Sequence, residues 1–149
     1  MPEKETLERA REDEREGKAP STQAGEFVRE EMEHIREGEH GARSAKQAIA
    51  IGLSKARRAG VKLPPPSKGT TSTTVRRQAK RDLKRSKTRK KPSRARSRAA
   101  KRRLKKEPRS AASHRALSRQ AHVAARKRTK ADRSRAAKKA AATRKKKKR

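Results

Sequence analysis

The sequence predicts a small all-α helical hairpin, about residues 26–60, flanked by a charged N-terminal arm and a long basic tail that is largely disordered and becomes helical on binding. Three observations support this. Two short segments carry apolar residues at helical spacing and meet at a glycine-containing turn. Residues 64–149 hold 36 of the 49 Lys and Arg against three acids, Asp82, Glu107 and Asp132, a surplus of 33 that equals the net charge of the whole chain. Those same residues contain only five large apolar side chains, Val75, Leu83, Leu104, Leu117 and Val123. Ordering a residue costs roughly 1–2 kcal/mol of backbone entropy. Five scattered side chains at about 1.5–3 kcal/mol each do not offset that over such a length. The organisation read from the sequence is a mostly acidic arm at 1–20, a hairpin at 21–63, a Pro/Ser/Thr linker at 64–74 and a polycationic tail at 75–149.

In the arm, Glu3, Glu5, Glu8, Glu12, Asp13, Glu14 and Glu16 face Lys4, Arg9, Arg11 and Arg15. Pairs such as Glu5/Arg9 have helical spacing. With Leu7 as the only large apolar residue after Met1, the arm reads as a fraying helix with nothing to pack against, or as an acidic strap that folds back on the tail. Gly17-Lys18-Ala19-Pro20 breaks the pattern. The first hairpin helix is expected over Phe27–Glu37, where Phe27, Val28, Met32 and Ile35 form one stripe and Glu26, Glu30 and Glu31 suit the positive end of the helix dipole. Gly38 is a natural stop.

The second helix has firmer punctuation. Ser44-Ala45-Lys46-Gln47 matches the capping box, in which Ser44 accepts from the N–H three residues on and Gln47 reaches back. Ala45, Ala48, Ile49, Gly52, Leu53 and Ala56 form a face rich in small residues, and Lys55, Arg57 and Arg58 crowd the last turn. Gly60 is placed as a left-handed cap, with Val61 folding back. A core of about 40 residues is marginal alone, so the hairpin is expected to self-associate or dock a protein partner. Its geometry also resembles a helix-turn-helix, a weak signal because any two capped helices around a glycine turn imitate it.

Pro64-Pro65-Pro66 cannot continue a helix and opens the linker. Beyond it the tail divides at Pro92 and Pro108 into helix-prone blocks at 75–91, 94–107 and 110–149. Ala, Arg and Lys favour helix, while like charges oppose it until they are neutralised. So dense a cation calls for a polyanion. At one charge per ~1.7 Å of duplex DNA, 33 net positive charges match about 56 Å, or roughly 16 base pairs. The expected clusters are Arg76, Arg77, Lys80 and Arg81; Lys84, Arg85, Lys87, Arg89, Lys90 and Lys91; Lys101, Arg102, Arg103, Lys105 and Lys106; Arg126, Lys127, Arg128 and Lys130; and Arg144, Lys145, Lys146, Lys147, Lys148 and Arg149. Phe27 is the only aromatic residue. Base stacking is therefore unavailable to the tail, which favours duplex DNA over single strands, with structured RNA as the alternative.

Catalytic chemistry finds no support. His34, Glu37 and His40 lack an evident fourth ligand and read as surface residues without a ligand role, so neither metal nor cofactor is expected. His114 and His122 sit in the tail without a scaffold. Ser67-Lys68-Gly69-Thr70 lacks the glycines and preceding strand of a phosphate loop. Without cysteine there is no disulfide or thiolate site. No apolar run reaches the ~18 residues of a membrane span. The polar, acidic start is unlike a signal peptide. The reading is of a soluble, cytoplasmic protein with no membrane and no small-molecule substrate.

From Glu26 to Lys68 the chain resembles an uncharacterised family of small bacterial proteins. The resemblance is carried by Ser44-Ala45-Lys46-Gln47-Ala48-Ile49-Ala50-Ile51-Gly52-Leu53-Ser54-Lys55-Ala56-Arg57-Arg58-Ala59-Gly60, preceded by a Met/Glu/His helix at Phe27–Glu37. It implies a bacterial protein of a kind loosely described as DNA-binding or plasmid-maintenance, and it transfers no site residues. The Lys/Arg/Ala-rich tail is similar in composition to those of bacterial linker-histone-like proteins. Together these readings lead to the expectation of a histone-like, nucleoid-associated protein that neutralises and compacts duplex DNA through nonspecific phosphate contacts. The alternatives are an RNA- or ribosome-associated basic protein, and a partner-binding adaptor whose tail only localises it.

Overall fold

A computed structural model describes residues 2–88 and 93–147, with side chains described as far as 145. It overturns the expected hairpin with a disordered tail. The described residues form seven α-helices: α1 (Lys4–Arg15), α2 (Pro20–Glu37), α3 (Ala45–Ala59), α4 (Thr73–Ser86), α5 (Arg94–Lys105), α6 (His114–Arg126) and α7 (Lys130–Lys147), with a 3-10 turn at Arg109–Ala112. They divide into two units, 1–113 and 114–149. In the first, α2 packs on α3, α1 on α2, α4 on α3, and the 3-10 turn on both α2 and α3.

The charged arm is a packed helix. Thr6, Ala10 and Asp13 are buried, and Leu7 joins Ala10, Ala24, Phe27, Ala56, Leu53, Val61 and Leu63 in one cluster. The expected break at Pro20 is instead the first residue of α2, a position where a missing N–H costs nothing. Gly17, with φ of +69°, supplies the turn between the two helices. This earlier start moves Glu30 and Glu31 from the helix N-terminus to its middle. Both are buried, and Lys55 from α3 reaches them, 3.2 Å from Glu30 Oε1 and 2.8 Å from Glu31 Oε2. Burial opposes ionisation of Glu30. The Glu3 N–H, the Thr6 hydroxyl and Lys55 outweigh it and hold Glu30 below the usual carboxylate range. Burial likewise disfavours the charged form of Lys55, yet Glu31 and Glu30 raise it above the usual lysine value. Lys55 thus pairs with the buried carboxylates of α2, and Arg57 and Arg58 alone are the basic residues of the last turn.

On α3, Ser44 Oγ accepts from Gln47 N at 3.2 Å, while Gln47 Oε1 accepts from Arg43 N at 2.9 Å, one residue before the cap itself. Gly52 is the point of closest approach. A Cβ there would lie 2.7 Å from Val28 Cα and 2.9 Å from Phe27 O, so only glycine lets the two helices meet this tightly. Past Gly60 the chain folds back, with Val61 N donating to Ala56 O at 3.1 Å. Arg57 is buried in this corner and donates to the carbonyls of Leu63 and Pro64, tying the proline run to α3.

The basic half is helical for reasons that charge repulsion obscures. Its Ala, Arg and Lys are strong helix formers. Ser72 caps α4, its Oγ accepting from Val75 N at 3.4 Å, and Thr129 caps α7 by accepting from Asp132 N at 3.1 Å. Helix α4 also has a buried side, with Ala79 and Asp82 inside and Leu83 half-buried. Asp82, 2% exposed, accepts from Ser54 Oγ of α3 at 2.7 Å and lies 3.9 Å from Arg58 Nε. Farther along, Gly41 N and Ala42 N donate to the carbonyls of Leu104 and Pro108 at 2.9 and 3.0 Å. Arg36 Nε donates to Ala112 O at 3.1 Å, and Ala111 and Ala112 are buried. These contacts fasten the end of α5 and the 3-10 turn onto the α2–α3 connection.

Candidate nucleic-acid interface

Docking sorts the cations of α4 by face. Ala79, Asp82 and Leu83 turn inward, and Arg76 beside them is half-buried. Arg77, Lys80, Arg81 and Lys84 recur at three- and four-residue steps on the opposite, exposed side, with Arg85 and the C-capping Lys87 exposed at its margins. Neighbours at this spacing stand about 5–6 Å apart at Cβ. The sequence cluster is thus a one-sided ridge backed by the folded head. Arg89, Lys90 and Lys91 lie outside the described residues.

On α5, Lys101, Arg102, Arg103 and Lys105 are exposed, as is the C-capping Lys106. Arg94 and Arg98 were not singled out by sequence, because alanine and serine interleave them and no run forms. At helical spacing Arg94, Arg98, Lys101 and Lys105 share a face, and that periodicity was the available signal. Lys101 and Lys105 border a cavity of about 310 Å³ with Leu104, Glu39 and His40.

In the second unit, Arg126 ends α6, Lys127 and Arg128 form the turn, and Lys130 opens α7; all are exposed. Arg144 and Lys145 are exposed in the last turns of α7. Lys146 and Lys147 lie in the same helix, their side chains outside the described residues, as are Lys148 and Arg149 altogether. Here the cations Arg133, Arg135, Lys138 and Lys139 interleave with alanines around the whole helix, so α7 is a charged rod without a preferred side. Two acids of the basic half have structural partners. Asp82 anchors α4, and Asp132 pairs with Thr129 and Arg135 at the start of α7, which holds its carboxyl below the usual range through the Thr129 hydrogen bond and Arg135.

A second constellation sits at the end of α2. Of the three residues read as a surface group, Glu37 is exposed, His34 is buried and His40 is half-buried. Glu31 takes the place of Glu37: one donor atom each from Glu31, His34 and His40 lies within 4.8 Å of the others. The imidazole rings meet edge to face with centroids 6.2 Å apart. The sequence reading passed over Glu31 by assigning it to the helix dipole, although its i, i+3 spacing to His34 was already present in a helix over Phe27–Glu37.

Residues 19–68 match the model of a family of unknown function (DUF6496), a span that covers α2, α3 and the start of the linker. No curated protein matches the chain, and no solved structure matches it. No helix among the described residues is long and apolar enough to cross a membrane.

Proposed function

We propose that this is a histone-like protein of the nucleoid that binds duplex DNA through its basic half, neutralising and compacting it without strong sequence preference. The observation that carries the reading is the segregation of charge: the entire surplus of 33 lies in 64–149, and the described candidate cations there are exposed, Arg76 alone being half-buried. Phosphate contacts of this kind bind by counterion release and carry little sequence information. The helices bear on the energetics. A tail ordered only on binding forfeits part of its interaction free energy to conformational entropy, whereas α4 presents Arg77, Lys80, Arg81 and Lys84 on a fixed ridge. The earlier resemblance of the head to small bacterial proteins, and of the tail to linker-histone-like tails, is in keeping with a nucleoid role.

The test is competition. Full-length protein bound to labelled random-sequence duplex is challenged with unlabelled duplex, structured RNA and single-stranded DNA. Duplex DNA should displace the label best and independently of its sequence. Preferential displacement by structured RNA would replace this reading with an RNA-associated one.

A further inference from the structure

We propose that Glu31, His34 and His40 form a binding site for a borderline divalent metal ion of the zinc class, one that holds the α2–α3 connection in place. The inference is independent of how the basic half binds nucleic acid. It starts from a contact that is unfavourable as it stands. His40 Nδ1 lies 3.1 Å from Gly41 O, a group that can only accept, so Nδ1 carries the proton. In the neutral ring Nε2 is then a bare lone pair, and it faces Glu31 Oε1 at 3.5 Å. That distance is beyond a good hydrogen bond, and Oε1 of the Glu31 carboxylate has no hydrogen-bond partner although the side chain is 0% exposed. Lys55 forms an ion pair with Oε2 and leaves Oε1 to the histidine side. Two acceptors pointed at each other in a buried place call for a cation between them.

The second histidine is set in the same way. His34 Nε2 lies 3.0 Å from Glu3 Oε1; with Nε2–H donating to that carboxylate, Nδ1 of the neutral ring keeps the lone pair. A metal-binding imidazole commonly gives its other N–H to a carboxylate or backbone carbonyl, and here one ring has each kind of partner. Imidazole nitrogens with carboxylate oxygen suit Zn(II) and its neighbours better than Mg(II) or Ca(II), which prefer all-oxygen shells. Glu31, His34 and His40 supply three ligand atoms, and solvent supplies the fourth position. Glu30 and Glu31 exceed Lys55 by one charge, and Glu3 and Glu39 flank His34, while Lys101 and Lys105 of α5 border His40 on its other side.

The position gives such an ion a structural consequence. His40 adjoins Gly41 and Ala42, whose N–H groups hold the end of α5 and the approach to the 3-10 turn. A Cβ on Gly41 would lie 1.9 Å from Glu107 O, so this connection is closely fitted. Linking His40 to α2 would rigidify the seat that holds the end of α5 and the approach to the 3-10 turn.

The experiment is calorimetric titration of chelator-treated full-length protein with Zn(II) alone, with Co(II) absorption as a second reading of coordination. One ion should bind per chain, and Co(II) should give the intense visible bands of a tetrahedral site. His40→Gln, at a half-buried turn position where folding is expected to persist, should weaken binding at least tenfold, and His40→Cys should restore it. His114→Gln with His122→Gln, both in the second unit, should leave binding unchanged. Absence of stoichiometric binding, or binding that survives His40→Gln or disappears with His114→Gln/His122→Gln, would overturn the proposal. Circular dichroism of each variant separates lost ligation from lost structure.

Discussion

Replacing Asp82 with alanine tests whether α4 is tied to α3 by one buried carboxylate. Three contacts surround Asp82, and they count differently. The Gln78 bond at 3.1 Å is within α4 and survives undocking. Arg58, at 3.9 Å and partly exposed, adds little. The Ser54 hydroxyl at 2.7 Å is the inter-helix bond, and a hydrogen bond to a charged acceptor contributes about 1.5–3 kcal/mol. Against this, α4 brings buried Ala79 and half-buried Leu83, worth together about 2 kcal/mol at roughly 0.8 kcal/mol per buried methylene. Losing about 2 kcal/mol should therefore shift the docking equilibrium of α4 by about 30-fold, at 1.4 kcal/mol per factor of ten. Hydrogen exchange of the full-length chain reads this directly: amides of 76–86 should exchange some 30-fold faster in Asp82→Ala, while those of α2 change little. Asp82→Asn, which keeps an acceptor, should lie between. Unchanged protection of α4 in Asp82→Ala would show that apolar contact alone seats the helix and would refute the anchor.

Three further outcomes follow from the same geometry. Gly52→Ala should destabilise the first unit by about 1–3 kcal/mol in urea unfolding, because its Cβ would meet backbone of α2 that cannot easily retreat. Lys55→Ala should cost about 3–5 kcal/mol in the same measurement, since it leaves Glu30 and Glu31 buried with their charge uncompensated. Neutralising the α4 ridge as Arg77→Gln/Lys80→Gln/Lys84→Gln should lower the salt dependence of DNA binding by somewhat less than about 0.9 log unit per log salt for each charge removed, with helix content retained.

How much of this was legible from sequence depended on whether the signal was local. The Ser44 cap, the Gly38 and Gly60 stops and the burial of Phe27, Met32 and Ile35 follow from spacing and turn chemistry within a few residues. The packed arm did not, because Leu7 looks solitary until Ala24, Ala56 and Val61 arrive from distant parts of the chain. The ordered basic half was missed for a related reason. Counting large apolar residues gave no weight to Asp82, whose polar contact with Ser54 spans 28 positions, or to the small Ala111 and Ala112 that fill the space at the end of α2. For α5 and α7, which bury little, intrinsic helix propensity carries more weight than the like-charge argument allowed. The cation clusters were legible as runs, but their division into the one-sided ridge of α4 and the all-round charge of α7 needed the docked structure.

The central claim is that the charged faces bind duplex phosphates, and its most direct test is the affinity of the full-length chain for random-sequence duplex DNA across a salt series. The account predicts a linear fall of log affinity with log salt, steep enough to report several neutralised phosphates, with the same slope for unrelated sequences. Affinity that barely changes with salt, or that depends strongly on the sequence offered, would contradict it and place recognition in the helical head.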